Sequence, residues 1–345
     1  MDVPSQLAEE IGQLIQSGRY KSPHDFLIVA IQNQIHYEHE PVDQSIEAQD
    51  SRSGESVSGV RFQIDPELAA LVLPPNVAKV KTVSLSNIER PGCLWGQYNR
   101  FFPVKIAARV AANLITQQES DYVSLDELQG KSAEIARLYG KTTQKMDRQY
   151  GRKRGTIISA GLPIARDAEK AKLRFRNQFV GHAVLKIENE KTVLKIYGAA
   201  PTLKFLDMKN EKKSVLVGIT EFGLKFASLL NPVIDQQEYS SALSADEVEF
   251  LLEHIATQVP EEAKLIHLIL SGVKKGIATP NELNERVKAD RSDWEGNEPS
   301  MMRAGIVSRI GELGLLERRK DGVKVTYLLT DLGEKYLERL SKLEA

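Results

Sequence analysis

Between Lys141 and Arg176 the chain carries eleven lysines and arginines against three acidic residues. Lys141, Lys145, Arg148 and Arg152 recur at steps of three or four, which places them along one stripe of a helix, and Lys153 and Arg154 follow at once. Further on, Lys170, Lys172, Arg174 and Arg176 surround Phe175 and Phe179. Thr142, Thr143, Gln144, Gln149 and Tyr150 interleave neutral donors with the cations. Side chains of these kinds position a protein on phosphate oxygens, and the affinity they supply is electrostatic. A run of charge is ordinarily a solvated helix face. Here its asymmetry within a near-neutral protein (formal net charge −1) favours nucleic acid. Residues 1–60 hold three Lys/Arg against ten Asp/Glu, residues 61–240 hold 28 against 18, and residues 241–345 hold 15 against 19.

A second, sparser basic set lies near the C-terminal end. Arg303 and Arg309 fall on an expected helix, and Arg318, Arg319, Lys320 and Lys324 on an expected hairpin, with Glu312, Glu317 and Asp321 among them. The local acidity leaves phosphate binding and protein binding both open for this part.

Other chemistries have little to stand on. His36, His39 and Glu40 in HYEHE share a helix face, yet three residues at a frayed helix end are not a closed ligand set. Glu188, Glu190 and Lys191 resemble strand-borne nuclease residues and equally a hairpin tip; without a partner Asp and a metal set they do not cleave phosphodiesters. Neither GxxxxGK[ST] nor GxGxxG occurs. The expectation is a non-enzymatic protein with no metal and no cofactor. Cys93 is the single cysteine, which excludes an internal disulfide or a CxxC site and fits a reducing, cytoplasmic setting. No basic-then-apolar leader and no run of about eighteen apolar residues is present, so neither export nor a membrane span is expected.

The elements that must position these residues repeat along the chain. SVLVGITEFGLKF (residues 214–226) matches KVTYLLTDLGEKY (residues 324–336) at an offset of 110, each an alternating strand running into a Thr-capped helix. Val123 to Leu128 matches Ala278 to Leu283 at an offset of 155, both reading as a capping box. The first copy therefore holds about 45 extra residues between its second helix and its hairpin, and the basic cluster falls inside them. In the second copy, the first helix runs from Pro260 to Ser271 and Gly272 ends it; Thr279 caps the second. Ser300 caps a third, with Met302, Ile306, Ile310 and Leu313 inward, and the Asp-Gly of LLERRKDGVKVTYLLT turns a hairpin before a last helix from Asp331.

This segment, with its ELGLLERR and VTYLLTDLGEKYL endings, resembles the winged helix-turn-helix family of MarR- and PadR-like regulators over about eighty residues. Residues 102–230 resemble it more loosely. The resemblance implies a third helix in the major groove and a hairpin on phosphates.

Residues 7–35 carry two short amphipathic helices, with Gly18 between them and Ser22 as cap. LAEEIGQLIQSGRYKSPHDFLIVAIQNQI resembles the helical part of the ribbon-helix-helix (Arc/CopG-like) family, which implies a homodimer built on Leu7, Ile11, Leu14, Phe26, Ala30 and Ile31. Residues 41–60 are Ser-, Asp- and Glu-rich and read as a flexible linker. Residues 61–100 read as an extended arm whose Trp95 and Tyr98, with Phe101 and Phe102, pack onto the next domain.

The expected molecule is mainly α with small β-wings: a ribbon-helix-helix-like dimerisation segment (1–40), a linker (41–60), a first winged-helix domain with arm and basic insertion (61–235) and a C-terminal winged-helix domain (236–345). Its expected partner is double-stranded DNA, as a dimeric transcriptional regulator in the cytoplasm, associated with the nucleoid. The alternative is a non-enzymatic adaptor in a DNA-maintenance or defence complex, with protein partners on the C-terminal module.

Overall fold

The computed structural model describes Leu71 and residues 80–153, 155–188, 191–211 and 214–344, which are mainly helical with small antiparallel sheets. The six residues expected at a dimer interface, Leu7, Ile11, Leu14, Phe26, Ala30 and Ile31, lie outside the described residues. So do the HYEHE segment, the linker over residues 41–60, and Arg154.

Residues 80–100, the described part of the arm expected over residues 61–100, lie largely outside helix and strand and are tied down by long-range hydrogen bonds. Val83 N–H donates to Ile219 O at 2.9 Å, and Asp207 accepts from Ser86 Oγ (2.9 Å) and Arg90 (2.7 Å). Helix α1 (Phe102–Gln118) is buried on all sides from Phe102 to Leu114, as a helix surrounded by protein must be. Pro103 pre-sets its first turn, but no side chain of its own caps it. The cap comes from far along the chain: the Glu312 carboxylate accepts the Phe101 and Phe102 N–H groups at 2.6 and 3.3 Å.

β1 (Val123–Ser124) leads into α2 (Leu125–Gln149). The capping box expected from Ser124 and Glu127 does not form, because Ser124 is held in the sheet opposite Leu216 while Glu127 pairs with Lys131 at 3.2 Å. α3 (Ala168–Phe175) passes into a π-helical turn over Arg176–Val180. There the chain leaves as a hairpin, β2 (His182–Glu188) and β3 (Lys191–Tyr197), and returns as the single turn α4 (Ala199–Thr202). Glu188 pairs with Lys191 at the far end of the hairpin. The two feet of the hairpin touch. A Cβ on Gly198 would sit 2.4 Å from Gly181 Cα, and with φ of +117° and +112° both positions suit glycine alone.

β4 (Leu206–Glu211) and β5 (Ser214–Ile219) complete a sheet of order β1-β5-β4, followed by α5 (Glu221–Ser228). The second copy comprises α6 (Ala245–Gln258), α7 (Pro260–Lys274), α8 (Pro280–Asp290), α9 (Glu298–Glu312), β6 (Leu316–Asp321), β7 (Lys324–Leu329) and α10 (Asp331–Glu344). Met302, Ile306, Ile310 and Leu313 of α9 and its C-terminal turn are at most 1% exposed, which is the expected inward stripe. Two boundaries differ from the sequence reading. Gly272 does not end α7, which runs on to Lys274, and α9 begins at Glu298 rather than after Ser300.

The repeat extends to individual hydrogen bonds. Val123 pairs with Val217 in the first copy; in the second, Tyr327 N–H donates to Ala278 O at 2.9 Å, which joins the residues displaced by 155 and 110. Thr220 Oγ1 donates to Lys204 O and Thr330 Oγ1 to Gly314 O, each at 2.6 Å, and each hydroxyl accepts an N–H from Gly223 or Gly333. Those glycines are required for the same reason: a Cβ would lie 2.1 or 2.2 Å from the carbonyl oxygen of Phe205 or Leu315.

One apolar core runs through both copies. The division expected between residues 235 and 236 falls at a turn over Pro232–Gln236 whose polar groups join them. Lys105 and Arg109, one turn apart on α1, meet Glu247 at 2.6 Å and Asp235 at 2.6 Å, and buried Asn231 bonds Glu247 at 2.8 Å. Each buried charge has an opposite partner, as burial demands. Burial nevertheless brings the Lys105 ammonium down to about 8, against the pull of Glu247.

Candidate nucleic-acid interface

α2 runs for 25 residues. One face, with Tyr139, Gly140, Thr143, Met146 and Asp147, is buried, Tyr139 edge-on to Phe102 of α1 and Gly140 and Asp147 against the loop that follows. The loop packs closely. A Cβ on Gly140 would meet Ile164 at 2.5 Å, and the Asp147 carboxylate accepts the N–H groups of Ile158 (3.0 Å) and Ser159 (2.9 Å). The opposite face carries Lys141, Lys145 and Arg148, all exposed, as the helical spacing requires. Tyr150, 61% exposed, ends the stripe.

The remaining basic residues of the first copy divide by partner. Arg152 is not a free cation: it pairs with Asp147 at 3.1 Å and lies over the Tyr150 ring, 4.8 Å from its centroid. Lys153 is exposed. Lys172 is held by Glu134 (2.6 Å) and Glu169 (3.0 Å), which push its ammonium up, so its charge is largely answered within the fold. Arg174 is exposed on α3; Arg176 is half-buried, and its Nε has no hydrogen-bond partner among the described residues.

In the second copy the structure corrects one residue outright. Arg309, expected to face DNA, is fully buried and paired with fully buried Glu262 at 2.7 Å. Its guanidinium also donates to the carbonyls of Tyr98 (2.9 Å) and Leu94 (3.3 Å), while Glu262 accepts the Leu94 N–H at 3.0 Å. The ion pair clamps the arm onto α7 and α9. Beneath it, Gly96 and Gly305 touch backbone to backbone: a Cβ on Gly305 would lie 2.3 Å from Gly96 O. Arg303 is half-buried and bonds Asn284 Oδ1 at 2.8 Å, joining α9 to α8. Thus both arginines of α9 serve the fold.

The hairpin β6–β7 keeps its cations outward. Arg319, Lys320 and Lys324 are exposed, and Arg318 is half-exposed, although Arg319 shares its charge with Glu317 at 3.3 Å. The stem of Arg318 reaches the loop of the first copy: its Cδ stands 4.0 Å from where a Cβ on Gly155 would be. The basic loop after α2 and the basic hairpin of the second copy are therefore neighbours. Local sequence pattern carries no signal for this meeting of residues 155 and 318. The burial of Arg309 did leave a signal, since it follows Met302 by seven and Ile306 by three, on the inward stripe.

No family model, curated protein or solved structure matches this chain. The chemistry must be read from the surface itself. Among the described residues no group of His, Cys, Asp and Glu is arranged to hold a metal ion, and no helix is long and apolar enough to cross a membrane. What the surface offers is exposed ammonium and guanidinium groups beside neutral donors, an arrangement suited to phosphate oxygens spaced along a backbone.

Proposed function

We propose that this chain binds duplex DNA through one composite basic surface made by two winged-helix repeats. That surface combines Lys141, Lys145 and Arg148 on α2, Lys153 in the following loop, and Arg318, Lys320 and Lys324 on the β6–β7 hairpin. The observation that carries the reading is the approach of Arg318 to Gly155, which brings the basic hairpin beside the loop that carries Lys153 although the two are far apart in sequence. A loop and a hairpin that meet can follow one phosphate backbone. The shared plan of the two copies, helix, strand contact, helix, helix, hairpin and Thr-capped helix, supports the winged-helix assignment. Transcriptional regulation by a dimer, joined through residues 1–40 in a cytoplasmic, nucleoid-associated setting, is the role we attach to it.

A second reading, an adaptor that binds proteins through its C-terminal copy, is favoured by α9. With Arg309 buried and Arg303 bonded to Asn284, that helix is poorly equipped to read a groove. Fluorescence anisotropy with a labelled duplex separates the two. Lys141→Glu/Lys145→Glu/Arg148→Glu and Arg318→Glu/Lys320→Glu/Lys324→Glu should each weaken binding by about tenfold or more. If only one set matters the surface is not composite; if wild type shows no salt-sensitive binding to any duplex, the adaptor reading replaces this one.

A further inference from the structure

A cleft of about 840 Å³ opens on another part of the C-terminal copy, between α7, α8 and α10. Its volume falls within the range of small-molecule sites, about 300–1,000 Å³. Five cations line it, Lys264, Lys274, Lys275, Arg286 and Lys342, against two acids, Asp290 and Glu338. This is unexpected in a stretch where acids outnumber bases by 19 to 15. The dipole of α7 accounts for Lys274 and Lys275 at its C-terminal end, but not for the convergence of Arg286 from α8 and Lys342 from α10. Lys264 is already paired with Glu261 at 2.8 Å, whereas Lys274, Lys275 and Lys342 make no ion pair among the described residues.

Arg286 is fixed in the cleft rather than free to sweep through it. Its Nε donates to Leu268 O at 3.0 Å and one terminal nitrogen to Ser271 Oγ at 3.0 Å, which leaves the other terminal nitrogen for a ligand. Its stem crosses α7 at Gly272, where a Cβ would press on Arg286 Cδ at 3.0 Å and on Leu283 at 3.3 Å. A glycine inside a helix costs roughly 1 kcal/mol relative to alanine, and the passage of Arg286 is what this one permits. The apolar lining comes from Leu268 and Leu337.

We infer that this cleft is a binding site for a small polyphosphate ligand carrying an apolar ring, a nucleoside triphosphate. The phosphates meet Lys274, Lys275, Lys342 and the anchored Arg286, and the ring rests on Leu268 and Leu337. The site is independent of the proposed DNA surface, whose residues it does not share.

Isothermal titration calorimetry on the full chain tests it, with ATP, inorganic tripolyphosphate and adenosine as probes. ATP and tripolyphosphate should bind saturably, ATP the tighter, and adenosine only weakly. Lys274→Glu/Lys275→Glu/Lys342→Glu should weaken ATP by at least about tenfold, the loss expected if even one charge-assisted contact is removed. Gly272→Ala should also weaken ATP, with helical circular dichroism and duplex affinity retained, because its tightest contacts are with the Arg286 side chain and Leu283 has to give by only a few tenths of an ångström. Absence of saturable binding by both phosphate probes overturns the inference, as does ATP binding that survives both variants. A triple variant that loses duplex affinity while keeping ATP binding would assign the cleft to nucleic acid instead.

Discussion

Replacing Arg309 by methionine removes one side chain and strands several groups. The variant keeps the length and apolar bulk of the stem, so little cavity forms. Glu262 loses both of its guanidinium bonds (2.9 and 2.7 Å) and retains only the Leu94 N–H, while the carbonyls of Leu94 and Tyr98 lose their donor. Breaking a buried pair from one side typically costs about 3–5 kcal/mol, because the remaining charge stays buried. Whole domains are stable by about 5–15 kcal/mol, so urea unfolding should show a large fall in midpoint. Trp95 lies in the clamped arm and its fluorescence should report the change first. The double variant Arg309→Met/Glu262→Leu removes the orphaned carboxylate as well, and should be less damaged than the sum of the single changes by about 2 kcal/mol. An Arg309→Met protein of wild-type stability but weakened duplex affinity would refute this reasoning and return Arg309 to the surface.

Further outcomes follow from the same interactions. Gly305→Ala places a Cβ 2.3 Å from Gly96 O, a backbone atom that cannot swing away, and should cost about 1–3 kcal/mol or more in chemical denaturation; a neutral result would mean the arm is not docked there. His254, 2% exposed, donates through Nε2 to Leu203 O at 2.6 Å, and burial brings its pKa down to about 4. The unfolded chain takes up that proton near the ordinary histidine value and the folded chain only near 4, so stability should fall as pH drops from about 6.5 to 4, by about 3 kcal/mol from this group. Unfolding at pH 7 and 4.5 checks the sign, and His254→Gln should flatten that part of the profile. Thr330→Val keeps the shape but loses the bonds to Gly314 O and from Gly333 N–H, and should lower the thermal midpoint through a cap deletion of about 1 kcal/mol; an unchanged midpoint would deny the cap its role.

Much of this fold can be read from local pattern. Thr279 and Glu282 form the capping box their spacing announces, the Asp-Gly pair turns β6 into β7, and the matched strands at residues 214–219 and 324–329 occupy equivalent places. Gly272 shows where such reading fails. As punctuation it means a helix end, whereas here it provides clearance for a side chain from another helix. Arg309 fails differently: residue type suggested a ligand contact while spacing placed it inward, and spacing prevailed because Glu262 offers a buried countercharge. Glu312 is read locally as an exposed acid of α9 and instead caps α1. Each of these depends on an encounter between distant segments, and so does the composite basic surface we propose.

That surface is tested most directly by the salt dependence of duplex affinity. The logarithm of the binding constant of wild type should fall linearly with the logarithm of salt concentration, and Lys141→Glu/Arg148→Glu/Lys320→Glu should flatten the slope by roughly 0.9 for each phosphate the variant no longer neutralises. A slope unchanged by these three substitutions, or a wild type whose affinity ignores salt, would contradict the account.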